Sequence, residues 1–210
     1  MKQLIIIGAG GMGRCTHCIA EQSIGYNKDF QIKGFLDDNI HALDGFNGYK
    51  PVLSTISDYT IESGDVFVCS IGDVQTKYKL CEKLKAKGAV FYTLIHQDAF
   101  IGKNATIGQG TIIDERAHID PDVTIGEDCL IQAQAIIGHD SQIGNYVRID
   151  TLSSLVGGTI VKDRATIYTH SMINHNVTVG EDAVVGACSF VIKNVKPGPS
   201  VFGVPAKSLF

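Results

Sequence analysis

Few residues in this chain are arranged so that they could do chemistry. His139 and Asp140 are adjacent and directly follow Gly138. An imidazole beside a carboxylate is held in one tautomer with raised basicity, and can take a proton from an attacking hydroxyl or amine. Alone, such a pair is more often a solvated corner. Gly157 lies eighteen residues beyond His139, a point where the missing side chain would let a substrate or cofactor approach closely.

A second candidate is the loop Gly8-Ala9-Gly10-Gly11-Met12-Gly13, which reads G-x-G-x-x-G from Gly8, Gly10 and Gly13. It falls between an apolar strand over 2–7 and a helix predicted over 11–23. Backbone N–H groups at such a helix start face an anion, typically a diphosphate. Asp37 and Asp38 end a strand predicted over 31–36, where a carboxylate reaches a ribose or base. Three readings stay open: a single nucleotide diphosphate such as a nucleotide-sugar, NAD, or a purely structural turn. The domain ends near residue 93, short for the two mononucleotide halves of a dinucleotide fold, which favours the first.

The elements that must position these groups differ between the two halves. After 31–36 come a linking segment with Gly45, Gly48 and Pro51, a strand over 66–70, a turn at Gly72-Asp73, and a helix over 74–87 with Lys-rich outer positions. Phe91–Leu94 then closes a small parallel sheet. From Ile95 to Val191 every sixth residue is Ile, Leu or Val, and the residue two before each is small or β-branched. Neither a helical nor a simple strand period gives this. A period of six means short strand, turn, and the same face again, so both positions point inward in a parallel β-helix with three hexapeptides per coil. Gly102, Gly108, Gly126, Gly138, Gly144, Gly180 and Gly186 follow the aliphatic position, where a corner is expected to need an unusual backbone conformation. The filled interior leaves only outer faces, or grooves between copies, for a site.

Composition sets the remaining bounds. The net charge of −4 and the absence of a basic run argue against a nucleic-acid partner. No stretch is long and apolar enough to span a membrane, and MKQLIIIGAG reads as a buried first strand rather than a signal peptide. The six cysteines are scattered, as reduced cytoplasmic thiols would be. Cys15 and Cys18 form C-x-x-C with no second pair, and are expected to pack in the core on a helix. A three-His zinc centre of the γ-class carbonic anhydrase kind would need Gln134 to join His170 and His175. Gln is a poor zinc ligand, so no metal is expected.

Taken together, GAGGMG, FLDD, SIGD, the coil IIGHDSQIGNYVRI and the terminal GVPAK resemble the bacterial sugar acyltransferases of the NeuD/PglD type, over essentially the whole chain. The resemblance implies a Rossmann-like nucleotide-sugar-binding domain over 1–93 and a left-handed parallel β-helix acyltransferase domain with its tail over 94–210. It implies a cytoplasmic homotrimer with acetyl-CoA as cosubstrate, lying in the groove between adjacent β-helices. His139 falls on the general base and Asp140 on its orienting carboxylate. Gly8, Gly10, Gly11, Met12, Gly13, Asp37, Asp38 and Gly72 fall on the nucleotide-sugar site. Gly157 and the tail residues Gly203, Val204, Pro205, Ala206 and Lys207 fall beside CoA. Three positions depart from the family: Met12 stands where a His is common, Arg148 where a second His often lies near the acetyl group, and Gln132 where Asn is common. The expected activity is acetyl transfer to the amine of a nucleotide-linked 4-amino sugar in bacterial surface-glycan biosynthesis. O-acetylation of a sugar such as sialic acid, and a non-catalytic nucleotide-sugar-binding protein, are the alternatives.

Overall fold

The structure, a computed structural model, describes residues 1–208. It divides into two compact units, Met1–Gln97 and a second from Asp98 on. The division falls later than the boundary expected at 93/94 because residues 95–97 bond back to the segment after the first helix. Ile24 N–H donates to Ile95 O (2.9 Å) and Gln97 N–H to Gln22 O (3.0 Å).

In the first unit the run Leu4 to Ile7 of β1 (Lys2–Ile7) is fully buried. Apolar residues on both faces of a strand mark the centre of a parallel sheet. β1 pairs in parallel with β2 (Phe30–Leu36) on one side; β3 (Val52–Ser54) extends that side, and β4 (Asp65–Cys69) pairs with β1 on the other. The helix α1 (Gly11–Glu21) joins β1 to β2, and α2 (Val74–Ala86) follows β4. Asp73 caps α2, its Oδ1 accepting from Thr76 N–H at 2.8 Å.

Four expectations for this unit need correction. The presumed link before residue 52 runs into a strand, β3, which pairs with the edge of β2. The closing strand over 91–94 reduces to a bridge from Phe91 to Phe67, and β5 (Leu94–Ile95) follows. The Lys-rich helix does not keep all its lysines outside: α2 buries Lys77, Cys81 and Leu84, an i, i+4, i+7 stripe that includes a lysine. Cys15 and Cys18 are exposed rather than packed, because the buried stripe of α1 is Gly13, Thr16, His17, Ile19 and Ala20.

The second unit is a parallel β-solenoid of two-residue strands on three faces. One face stacks from Thr106–Ile107 to Thr178–Val179 and another from Phe100–Ile101 to Phe190–Val191. The third stacks from Ile112–Ile113 to Val184–Val185 and continues into Ser200–Phe202. Partners are eighteen residues apart, as Thr124, Gln142 and Ile160 show. The expected inward series is buried from Ile113 to Val191, while Ile101 and Ile107 in the first coil are only partly covered. Hydroxyls on the small inward positions find partners in the next coil. Thr111 Oγ1 donates to Gly126 O (2.8 Å), Ser153 Oγ to Tyr168 O (3.0 Å) and Ser171 Oγ to Gly186 O (2.8 Å). A buried hydroxyl left unpaired would cost about 1–3 kcal/mol, so these bonds let polar residues fill the core.

The corners correct the reading of the glycines. Every sixth residue from Asn104 to Cys188 has positive φ, and all but Gly110 and Gly158 carry side chains. Gly102, Gly108 and their equivalents are not in that series. Their role is close stacking: a Cβ on Gly108 would stand 2.5 Å from the backbone of Gly126, and one on Gly138 2.5 Å from Gly157 N. Glycine is therefore required where coils touch, while the left-handed turn is taken mostly by Asp, Asn and other polar residues. Among the described residues no helix is long and apolar enough to cross a membrane.

Gly108→Ala should lower unfolding free energy by about 1–3 kcal/mol in urea denaturation, since the coils would have to separate. Gln134→Gly, at a corner with φ of 58°, should change it by no more than about 0.5 kcal/mol, the relieved left-handed strain offsetting the added chain entropy.

Candidate functional site

His139 stands at a solenoid corner immediately before Asp140, which has φ of 61°. That left-handed turn brings the carboxylate back to the neighbouring imidazole, and Nδ1–H donates to Asp140 Oδ2 at 2.7 Å. An ionised carboxylate only accepts, so the bond fixes the proton on Nδ1 and leaves Nε2 with its lone pair. The Asp140 hydrogen bond raises the His139 pKa above its ordinary value. Slight desolvation opposes this, and the charges of Asp140 and Asp120 add to it.

Gly157 sits one coil beyond, directly under the ring. A Cβ there would be 2.6 Å from His139 Nε2 and 2.7 Å from Cε1. The backbone is tied as well, Gly158 N–H donating to His139 O at 2.8 Å. The absent side chain thus lets the face of the imidazole settle against the Gly157 backbone. His175 lies one coil further on the same corner, its ring centroid 6.4 Å from that of His139. The sequence reading had placed His175 only in a rejected zinc set. Counting two coils of eighteen from His139 was the signal that could have found it. Among the described residues no group of three or more His, Cys, Asp and Glu is placed to hold a metal ion.

The first unit contributes a separate pocket of about 420 Å³, lined by Gly8, Asp37, Asp38, Ile56, Ile71 and a face of α2 with Thr76, Lys79, Leu80 and Lys83. It opens beyond the carboxyl ends of β1, β2 and β4. The chain leaves β1 for β2 on one side and reaches β4 on the other, so a crevice forms there, as in open α/β sheets that bind ligands. Asp37 braces the loop, Oδ2 accepting from Ala9 N–H (2.7 Å) and Oδ1 from Asn39 N–H (2.9 Å). Asp38 Oδ1 accepts from Ile56 N–H at 3.2 Å. Of the predicted residues, Gly8, Asp37 and Asp38 line this pocket; Gly10, Gly11, Met12, Gly13 and Gly72 do not. Gly13 has a packing duty instead, since a Cβ there would be 2.0 Å from Gly8 O. Gly10 caps α1 with open space around it. Thr76, Lys79, Leu80 and Lys83 were missed, because nothing in their spacing marks them apart from a solvated helix face, and Ile56 and Ile71 because they lie in loops, where no periodic spacing marks them.

The tail folds back on the last coil. Ser200–Phe202 and Lys207–Ser208 pair antiparallel, Gly203 N–H donates to Ser189 Oγ (3.0 Å) and Ala206 N–H to Phe190 O (2.8 Å). A pocket of about 410 Å³ includes Ala206, Val191, Pro199 and Val201 with Lys193 and Lys196. Gly203, Val204, Pro205 and Lys207 are outside its lining, and Val204 is 73% exposed. The two departures on the coils prove to be one cluster. Arg148 Nε and Nη2 donate to Asp150 (2.6 and 2.9 Å), and Gln132 Nε2 donates to the same carboxylate (2.7 Å).

An open imidazole thus stands on the corner of a hexapeptide-repeat solenoid, in one chain with a small α/β unit that has its own pocket. Residues 93–120 match the hexapeptide repeat of succinyl-transferase, 114–202 the GMPPB C-terminal domain and 3–84 the PglD N-terminal domain. The first unit is thus similar to the PglD N-terminal domain, and the second to hexapeptide-repeat transferase domains. It is 30% identical over 115 residues to a UDP-N-acetylbacillosamine N-acetyltransferase of Bacillus subtilis; that stretch is 54% of this chain and spans only about half, 51%, of the relative. It is similar along its whole length to the acetyltransferase domain of PglB from Neisseria gonorrhoeae, with 26% identity, a TM-score of 0.90 and 100% of each chain covered. The same domain in complex with acetyl coenzyme A gives 26% identity and a TM-score of 0.88 over 99% of each chain.

NMR titration of the His139 imidazole should give a midpoint above the ordinary histidine value. Asp140→Asn removes the charge that stabilises the imidazolium, so the midpoint should move down towards the unperturbed value. An unchanged midpoint would mean the pair is not formed in solution.

Proposed function

We propose that the chain is an acetyl-CoA-dependent N-acetyltransferase acting on a nucleotide-linked 4-amino sugar, in the cytoplasmic assembly of a bacterial surface glycan. The observation that carries this is His139, whose Nδ1–H is engaged by Asp140 while Nε2 stands open over Gly157. In the proposed step Nε2 takes a proton as the amine attacks the thioester carbonyl. The C–N bond forms, the C–S bond breaks as the tetrahedral intermediate collapses, and the proton passes to the departing thiolate. The transfer is direct, without an acyl-enzyme.

The rest of the site fits these partners. In the first-unit pocket, Asp38 offers an acceptor for a base or ribose, and the ammonium groups of Lys79 and Lys83 complement a diphosphate. Lys193 and Lys196 beside Ala206 suit the anionic end of CoA. On one solenoid face Phe100, Ile136 and Met172 are 45–50% exposed at alternate rungs of a single column. A column of this kind supports a face between copies of the chain and so a homotrimer. The relatives' names favour an amine acceptor carried on a nucleotide.

Thiol release from acetyl-CoA, tested with UDP- and dTDP-linked 4-amino sugars and with sialic acid, should be fast with one amino sugar. His139→Ala should reduce it by about 10²–10⁴-fold. Release with sialic acid alone would put O-acetylation in its place, and nucleotide-sugar binding without any release would make the protein a binding module. Gly157→Ala should lower kcat about 10²-fold by displacing the imidazole, with little change in thermal midpoint; full activity would show that the close approach of His139 to Gly157 is not used.

A further inference from the structure

We propose that His175 is a second proton acceptor of the transfer site, taking the proton that an ammonium acceptor must lose before His139 can act on it. The inference rests on the N-acetyltransferase reading. An aliphatic amine reaches the site largely as an ammonium near neutral pH. Its nitrogen carries three protons, and the amide product keeps one. Of the two that leave, one accompanies the attack and ends on the CoA thiol through His139. The other must go before attack, because an ammonium has no lone pair, and its destination is solvent. One imidazole serving both transfers would have to release the first proton before taking the second.

The geometry supplies a second imidazole. His139, Gly157 and His175 occupy one corner at intervals of one coil, and the middle position has no side chain. The two rings are tilted at 55° with centroids 6.4 Å apart, too far for the ring nitrogens to be forced into a direct bond. Two hydrogen bonds of about 2.9 Å placed end to end span a gap of this order. The proposal places the acceptor nitrogen at this corner, within reach of both imidazoles. His175 is exposed, so a proton taken there can pass to water, and no hydrogen bond of its own imidazole ties it among the described residues.

The charged and titratable groups around the pair are His139 itself, Asp140 at its side and Asp120 on the preceding coil. The flanking Asn174 and Asn176 are uncharged. Asp140 is engaged with His139. His175 is thus the remaining imidazole on this corner available as a second acceptor.

The test compares the full-length wild type, His175→Gln and His139→Ala with the amino-sugar nucleotide that the wild type acetylates. The readout is kcat/KM from thiol release between about pH 6 and about pH 9.5, bracketing the amine and imidazole titrations. His175→Gln should be about tenfold or more slower at the acid end and converge on the wild type at the alkaline end, where the amine arrives neutral. His139→Ala should stay slow throughout. A His175→Gln profile that superimposes on the wild type, or lies below it by a constant factor at every pH, overturns the proposal. If the wild type acetylates no amine at any pH, the N-acetyltransferase reading falls first and this one with it.

Discussion

The corner of the solenoid is the constraint on which the second unit depends. Each coil must turn three times, and each turn places one residue at positive φ while its N–H reaches back to the coil before. Asp140 N–H donates to Pro121 O and Asp122 N–H to Lys103 O in this way. Side-chain-bearing residues bear that strain because the turn is locked on both sides by the ladder of parallel pairs. The stacked glycines, Gly108 and Gly138 among them, let successive backbones come close enough for the ladder to form. Lost contact at one corner would loosen all three faces of its coil, since each coil rests only on its neighbours.

The site inherits its geometry from that corner. Asp140 meets the imidazole of His139 because it occupies the left-handed position, and Gly157 lies under the ring because one coil is eighteen residues. No separate scaffold is needed to orient the base. The same register sets His175 on the far side of Gly157. The alignment of His139, Asp140 and Gly157 comes from translation along the solenoid axis rather than from loops converging from different parts of the chain.

The solenoid was legible because its period repeats over many residues, so one misplaced side chain could not hide it. The reason for its glycines was not legible: close coil contact and positive φ both call for Gly, and only the backbone separates them. In the first unit Gly8, Asp37 and Asp38 were readable from the strand-loop-helix pattern. The pocket wall on α2 was not, because Lys79 and Lys83 look like any solvated lysines until α2 is set against the ends of β1 and β4. Burial of Lys77 and exposure of Cys15 and Cys18 went against residue type, the helical phase of α2 and α1 deciding both. His175 was visible in the sequence but not weighed against His139, since the comparison needs a count across two coils rather than along the chain.

The hairpin of the tail does more than supply part of a pocket. A stack of parallel strands ends in unpaired N–H and C=O groups, a template on which a second solenoid could continue end to end. Here Ser200–Phe202 takes the edge of Val184–Val185, Val195 pairs with Val179, and Gly203 and Ala206 bond to Phe190. All three terminal edges are thereby spoken for, and the outermost strand offers two exposed residues, one of them Lys207. The tail thus occupies the edges through which a stack of this kind would otherwise continue.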